Sequence, residues 1–309
     1  MPPAPTPTYF QLAMSPVPST TKPLPHNPKT PKPLLRLELR DLSLDGVHTS
    51  ISCIDATCAL QQCIETIFRV LYSPQCHVPT TRSVTLILRS MPGVAYTTGI
   101  SIDDDHKEIH LSTDYIHGIA KDRKREEIMG VLQHEMVHCF QFNALGSAPG
   151  GLIEGIADFV RLKAGLSPPH WKREGGGDWD AGYQHTAYFL EYLDKVCGEG
   201  TVVRCNEMLR HGKYEENKFW KDCCGKTVKQ LWAEYNEMLD GGKKKGNGGN
   251  RREEKMKKAN LLLAEAVRLQ QEAAKLITEA QEERDLVENG DEHGVQSKQE
   301  ETAIAGDKQ

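Results

Sequence analysis

The stretch Arg125-Glu126-Glu127-Ile128-Met129-Gly130-Val131-Leu132-Gln133-His134-Glu135-Met136-Val137-His138-Cys139-Phe140-Gln141-Phe142 carries apolar residues at Ile128, Leu132, Met136, Cys139 and Phe140. Most of these steps are three or four residues, which puts the side chains on one face and predicts a long helix over Arg125 to Phe142. Gly146 and the turn Ala148-Pro149-Gly150-Gly151 stop it. Upstream the period falls to two: Lys107-Glu108-Ile109-His110-Leu111-Ser112 alternates and predicts a strand after the acidic turn Asp103-Asp104-Asp105. Leu35, Leu37 and Leu39 alternate with Arg36, Glu38 and Arg40 in the same way, and further strands are expected at Ser83 to Leu88 and around Val94 to Thr97. Between them a helix is predicted over Ile54 to Tyr72, closed by Ser73-Pro74. Downstream, helices are expected at Leu152 to Ala164, Tyr183 to Cys197, Val202 to Arg210 and Val228 to Leu239. Strands first and helices after predict an α+β fold, a small mixed sheet followed by a helical half.

Residues 34–240 are expected to form one domain, large enough to bury a core. Residues 1–33, rich in Pro, Thr and Ser, predict a disordered arm. Residues 241–251 read as a Gly/Lys/Asn linker, 252–288 as a separate charged helix, and 289–309 as a disordered tail. In the charged helix Ala259, Ala266, Ala273, Ala280 and Val287 fall seven apart, with Leu262, Leu269 and Leu276 three after the first three of them. That heptad seam suits self-association or partner binding, against the plainer reading of a single solvated helix.

A formal net charge of -5 gives no reason to expect nucleic acid or an anionic membrane as partner. There is no run of about 18 apolar residues, and Met1-Pro2-Pro3-Ala4-Pro5 lacks the basic start and apolar stretch of a secretory signal. A cytoplasmic location is the expectation, with secretion by a non-classical route as the alternative. The nine cysteines are an odd number and are read as free structural thiols. Cys53, Cys58 and Cys63 are too widely spaced for a zinc knuckle, and the adjacent Cys223-Cys224 suits neither tetrahedral ligation nor a ready disulfide.

Within the long helix, His134 and His138 are four residues apart and project from one face on successive turns, as two imidazole ligands of one zinc ion must. Glu135 follows the first of them, where a carboxylate can take a proton from a zinc-activated water as general base and pass it to a leaving amine. A catalytic zinc ordinarily has three protein ligands, so a third must come from elsewhere. Glu154 is the best candidate, because the Pro149-Gly150-Gly151 turn can fold its helix back on the first one; His170 and His185 are rivals. Asp158, one turn beyond Glu154, is placed to accept the spare N–H of a ligating histidine. The plainer reading is that both acids merely decorate a helix start, where the dipole favours them.

The segment His134-Glu135-Met136-Val137-His138 with Gln141, the run from Ala148 through Asp158 to Leu162, and Trp179-Asp180, Gly182-Tyr183, Thr186-Ala187 and Phe189-Leu190 resemble the plant and bacterial peptidase family that includes the plant basic secretory proteins. Weaker similarity runs from about Leu37 to Leu239. The resemblance implies a zincin-like fold whose edge strand, Glu108 to Ser112, lines the cleft for a peptide or protein substrate. It implies one Zn2+, Glu154 as third ligand, endopeptidase activity, and Tyr183 as a group that stabilises the oxyanion. Two departures matter: this chain is mildly acidic, and it shows no secretory signal, so a location does not carry over. The arm and the heptad helix lie outside the resemblance. The competing readings are a zinc-containing protein that binds or regulates partners through the cleft and C-terminal helix without catalysis, and a metal-free interaction module.

Overall fold

The computed structural model describes residues 31–243. Residues 1–30 of the arm expected over 1–33, residues 244–251 of the linker expected over 241–251, the heptad helix and the tail lie outside the described residues.

Four strands form one mixed sheet in the order β1-β2-β4-β3: β1 (Leu34–Leu39), β2 (Ser83–Arg89), β3 (Ala95–Ile100) and β4 (Asp103–Ser112). β1 and β4 run parallel to β2, and β3 runs antiparallel to β4. β2 is buried almost throughout, as expected of a strand paired on both sides. Helices α1 (Asp45–Cys53) and α2 (Ala56–Val70) join β1 to β2; α3 (Thr113–Gly118) and α4 (Lys124–His138) follow β4. The helical half is α5 (Gly150–Lys163), α6 (Tyr183–Val196), α7 (Thr201–Met208), α8 (Glu216–Cys224) and α9 (Val228–Lys243). The architecture is α+β, as the strand-then-helix order predicts. Among the described residues no helix is long and apolar enough to cross a membrane.

α2 and α4 pack against the sheet and share one continuous apolar core with the helical half. Leu60, Ile64, Ile67 and Phe68 of α2 share this core with Val84, Leu86 and Leu88 of β2 and Ile109 and Leu111 of β4. α4 is buried from Val131 to Val137 on nearly every face, because the sheet lies on one side and α5 on the other. The polar residues of this segment, Gln133, His134 and Glu135, are therefore removed from water. Burying such groups costs free energy unless each has a partner, which makes their contacts informative.

Three expectations need correction. The strand Glu108–Ser112 is not at the edge: β4 pairs on both sides, and the edge beside α4 is β3. β4 also starts earlier, at Asp103, because Arg82 holds its first residues: the Arg82 amide donates to the Asp105 carbonyl at 2.7 Å and its guanidinium pairs with Asp103. The reversal falls instead at Ser101-Ile102. Finally, α4 ends at His138, not Phe142. The Thr81 hydroxyl donates to the Cys139 carbonyl at 2.7 Å, and the Tyr72 hydroxyl donates to the Phe140 carbonyl, so those carbonyls are engaged by side chains outside any helix.

At the start of α4 a charged cluster ties the sheet side to α5. Glu127 accepts from Arg161 Nη2 and from the Tyr115 hydroxyl, each at 3.0 Å, and Arg123 adds a contact at 3.4 Å. Gly130 makes the crossing possible: a Cβ there would stand 2.6 Å from Arg161 Nη2. Burial pushes the Glu127 carboxyl up, but Arg161 and the hydroxyl donor outweigh it, and its pKa lies below the ordinary value. A carboxyl depressed on folding stabilises the protein above its unfolded pKa, about 4.5, and loses that contribution as pH falls toward the folded value. Glu127→Gln is expected to lower stability by about 2 kcal/mol at neutral pH, with the deficit shrinking below about pH 4. Urea unfolding of both proteins across that range checks it; a deficit independent of pH would rule out the charge interaction as its source.

Candidate metal centre and active site

His134 and His138 stand one turn apart on α4, and the turn from Cys139 to Pro149 reverses the chain so that α5 packs against α4. This brings Glu154 to both histidines. Its Oε2 lies 3.0 Å from His134 Nε2 and its Oε1 3.8 Å from His138 Nε2, while the two Nε2 atoms are 3.2 Å apart. Among the described residues, His134, His138 and Glu154 are the group of three or more metal-capable side chains whose donor atoms lie within 4.8 Å of one another. Gly155 lets α6 approach behind this cluster, since a Cβ there would stand 2.3 Å from Thr186 Cγ2.

Asp158, buried one turn after Glu154, places its Oδ1 2.7 Å from His134 Nδ1. The short bond commits Nδ1–H to Asp158 and directs Nε2 into the cluster. Burial disfavours a protonated His134, but the Asp158 and Glu154 carboxylates outweigh it and hold its pKa well above the ordinary value. Two imidazole nitrogens and a carboxylate oxygen facing one another in a partly buried site favour a cation between them, either a shared proton or a metal ion, which offsets the repulsion of their lone pairs. That donor set fits zinc.

Glu135, next to His134 on α4, reaches Thr97 of β3. Its Oε2 lies 2.7 Å from the Thr97 hydroxyl, which is also 3.0 Å from its own backbone carbonyl. Thr97 was not among the residues singled out from sequence. Period two marks Thr97 and Thr98 equally as hydroxyls on opposite faces of a strand, and only the pairing of Thr97 with Ile109, whose side chain enters the core, shows which one meets α4.

Tyr183 opens α6 with its ring roughly parallel to that of His134, centroids 6.1 Å apart. It holds φ +48°, directly after Gly182 at φ +85°. A tyrosine in the left-handed region is uncommon and is kept there by its surroundings. The Thr186 hydroxyl donates to the Trp179 carbonyl at 2.9 Å and accepts from the Gly182 amide at 3.0 Å, which pins the loop that delivers Tyr183.

The rival ligands are not brought to the cluster. His170 is exposed in the turn after Pro168-Pro169, and the ring of His185 packs edge-on against Trp232.

No curated protein and no solved structure matches the chain. A family profile described as "Peptidase of plants and bacteria" matches residues 32–235, two thirds of the chain, and spans every residue of the cluster just described. The chain belongs to that peptidase family.

Proposed function

We propose that this chain is a zinc-dependent endopeptidase with a zincin-like arrangement, in which His134, His138 and Glu154 hold one zinc ion. The observation that carries this reading is the convergence of those three donors on one point, with Asp158 fixing the outer nitrogen of His134. A zinc ion held there would polarise a peptide carbonyl and make water more acidic.

The remaining roles belong to the chain's own side chains. Glu135 accepts a proton from the attacking water and returns it to the departing amine. The phenol of Tyr183, whose ring lies beside His134, donates toward the carbonyl oxygen as negative charge develops on it. β3 pairs only with β4 among the described residues, so its outer edge offers backbone groups to an extended substrate strand. A peptide laid there passes alongside Thr97 and hence Glu135.

Thr97 positions Glu135: its hydroxyl satisfies one carboxylate oxygen and holds the group on the substrate side of α4. Thr97→Val is expected to lower kcat roughly tenfold to a hundredfold with zinc content unchanged, and Thr97→Ser to restore most of it. Full activity in Thr97→Val beside a loss in Thr97→Ser would show that the methyl group, not the hydroxyl, is what matters.

The proposal itself is tested by stripping the purified protein with a chelator, restoring one equivalent of zinc, and following cleavage of a broad peptide library. Loss and recovery of cleavage support it. Stoichiometric zinc with no cleavage of any peptide would favour a non-catalytic binding protein.

A further inference from the structure

Four of the nine cysteines, Cys197, Cys205, Cys223 and Cys224, come from the end of α6, from α7 and from α8. Cys205 and Cys223 are buried, and their Sγ atoms lie 2.9 Å apart. That is closer than two unbonded sulfurs ordinarily rest and approaches the roughly 2.05 Å of a bond. Cys224 interacts in turn with Cys223 and with Cys197. These thiols do not converge as a metal cage would require, since the His134 cluster is the group of three or more donors within 4.8 Å among the described residues. The contacts run in a chain, and Cys205 and Cys223 are the pair whose sulfurs lie 2.9 Å apart.

We propose that Cys205 and Cys223 form a structural disulfide that cross-links α7 to α8. It forms by exchange with a low-molecular-weight disulfide. One protein thiolate attacks a sulfur of that reagent, its S–S bond breaks, and one small thiol leaves; the second protein thiolate then displaces the other small thiol and closes the Cys205–Cys223 bond. The two protein thiols lose two electrons and two protons, and the reagent takes up both as it becomes two thiols.

Contact with Cys205, with burial behind it, pushes the Cys223 thiol well above its ordinary pKa. In the folded chain Cys223 is therefore a poor nucleophile, and both thiols are buried, so the bond forms while the region folds or opens and then persists. This describes a structural link, not a fast sensor. A persisting disulfide belongs to an oxidising compartment, which favours the secreted alternative over the cytoplasmic expectation.

The position gives the link a purpose. α7 and the residue after it hold the turn between the two halves of the metal cluster: the Phe142 amide donates to Asn206 Oδ1 at 3.1 Å, and the Ala144 amide donates to the Leu209 carbonyl at 2.8 Å. Tying α7 to α8 across 18 residues braces that turn, and with it the placement of α5 against α4.

The test is to equilibrate the purified full chain in mixed reduced and oxidised glutathione, alkylate the remaining thiols after denaturation, and map the peptides by mass. Cys205 and Cys223 are expected in one linked peptide pair, with a Tm on the order of 5–10 °C above that of the reduced protein. Amide exchange at Phe142 and Ala144 should slow by about tenfold or more in the oxidised form. Cys205→Ser should abolish the Tm difference between oxidising and reducing conditions. Recovery of both cysteines alkylated, linkage of either to another cysteine, a Tm difference that survives Cys205→Ser, or zinc released in step with thiol alkylation would each overturn the disulfide.

Discussion

Glu135→Gln is expected to retain zinc and the fold while kcat falls by about 10²–10⁴-fold. Glutamine keeps the shape of the side chain, and its amide can still contact the Thr97 hydroxyl, so the 2.7 Å contact that orients the group is preserved in form. What it cannot do is accept a proton from water at neutral pH. The loss should therefore appear in kcat with little change in KM, since removing a group that acts only in the transition state lowers kcat and kcat/KM together. Zinc content, circular dichroism and steady-state kinetics on one peptide suffice. Undiminished cleavage would remove Glu135 from the mechanism, and loss of zinc would move it from base to ligand.

Glu154→Ala is expected to weaken zinc binding by more than the about 10–100-fold anticipated for Asp158→Asn. The difference follows from position. Glu154 contacts both histidines at the point where their Nε2 atoms converge, whereas Asp158 touches only the outer nitrogen of His134. Removing the first deletes a donor; changing the second leaves all three donors but loosens the orientation of one. Competition with a chelator of known affinity ranks the variants. If Asp158→Asn cost more than Glu154→Ala, or if His185→Ala cost as much as either, the assignment of the third ligand would fail.

How far these residues could be read from sequence depends on how local their signals are. His134, Glu135 and His138 share one helix, so the step of four was enough to place them together. Glu154 and Asp158 needed a chain reversal that Pro149-Gly150-Gly151 announced but could not aim, and His170 and His185 stayed open as rivals until α5 was seen to pack on α4. β1, β2 and the body of β4 were legible through alternation or continuous apolar runs. α1 was not, because it buries Gly46, Val47 and Ser50, small or polar residues that leave no apolar period. α8 was missed for a similar reason: it is nine residues long and buries only Phe219, Trp220 and Cys223. The identity of the edge strand is a property of pairing order, and alternation within a strand carries no information about its neighbours. Thr97 depends on that same register. The Cys205–Cys223 contact depends on the packing of two short helices, one of them unpredicted.

The ligand set is tested most directly by zinc K-edge X-ray absorption on the full chain loaded with one equivalent of zinc. A shell of nitrogen and oxygen at about 2.0–2.2 Å, with the multiple-scattering signature of two imidazoles, is the expected result. Sulfur at about 2.3 Å, or failure of the protein to hold one zinc per chain, would contradict a centre built from His134, His138 and Glu154.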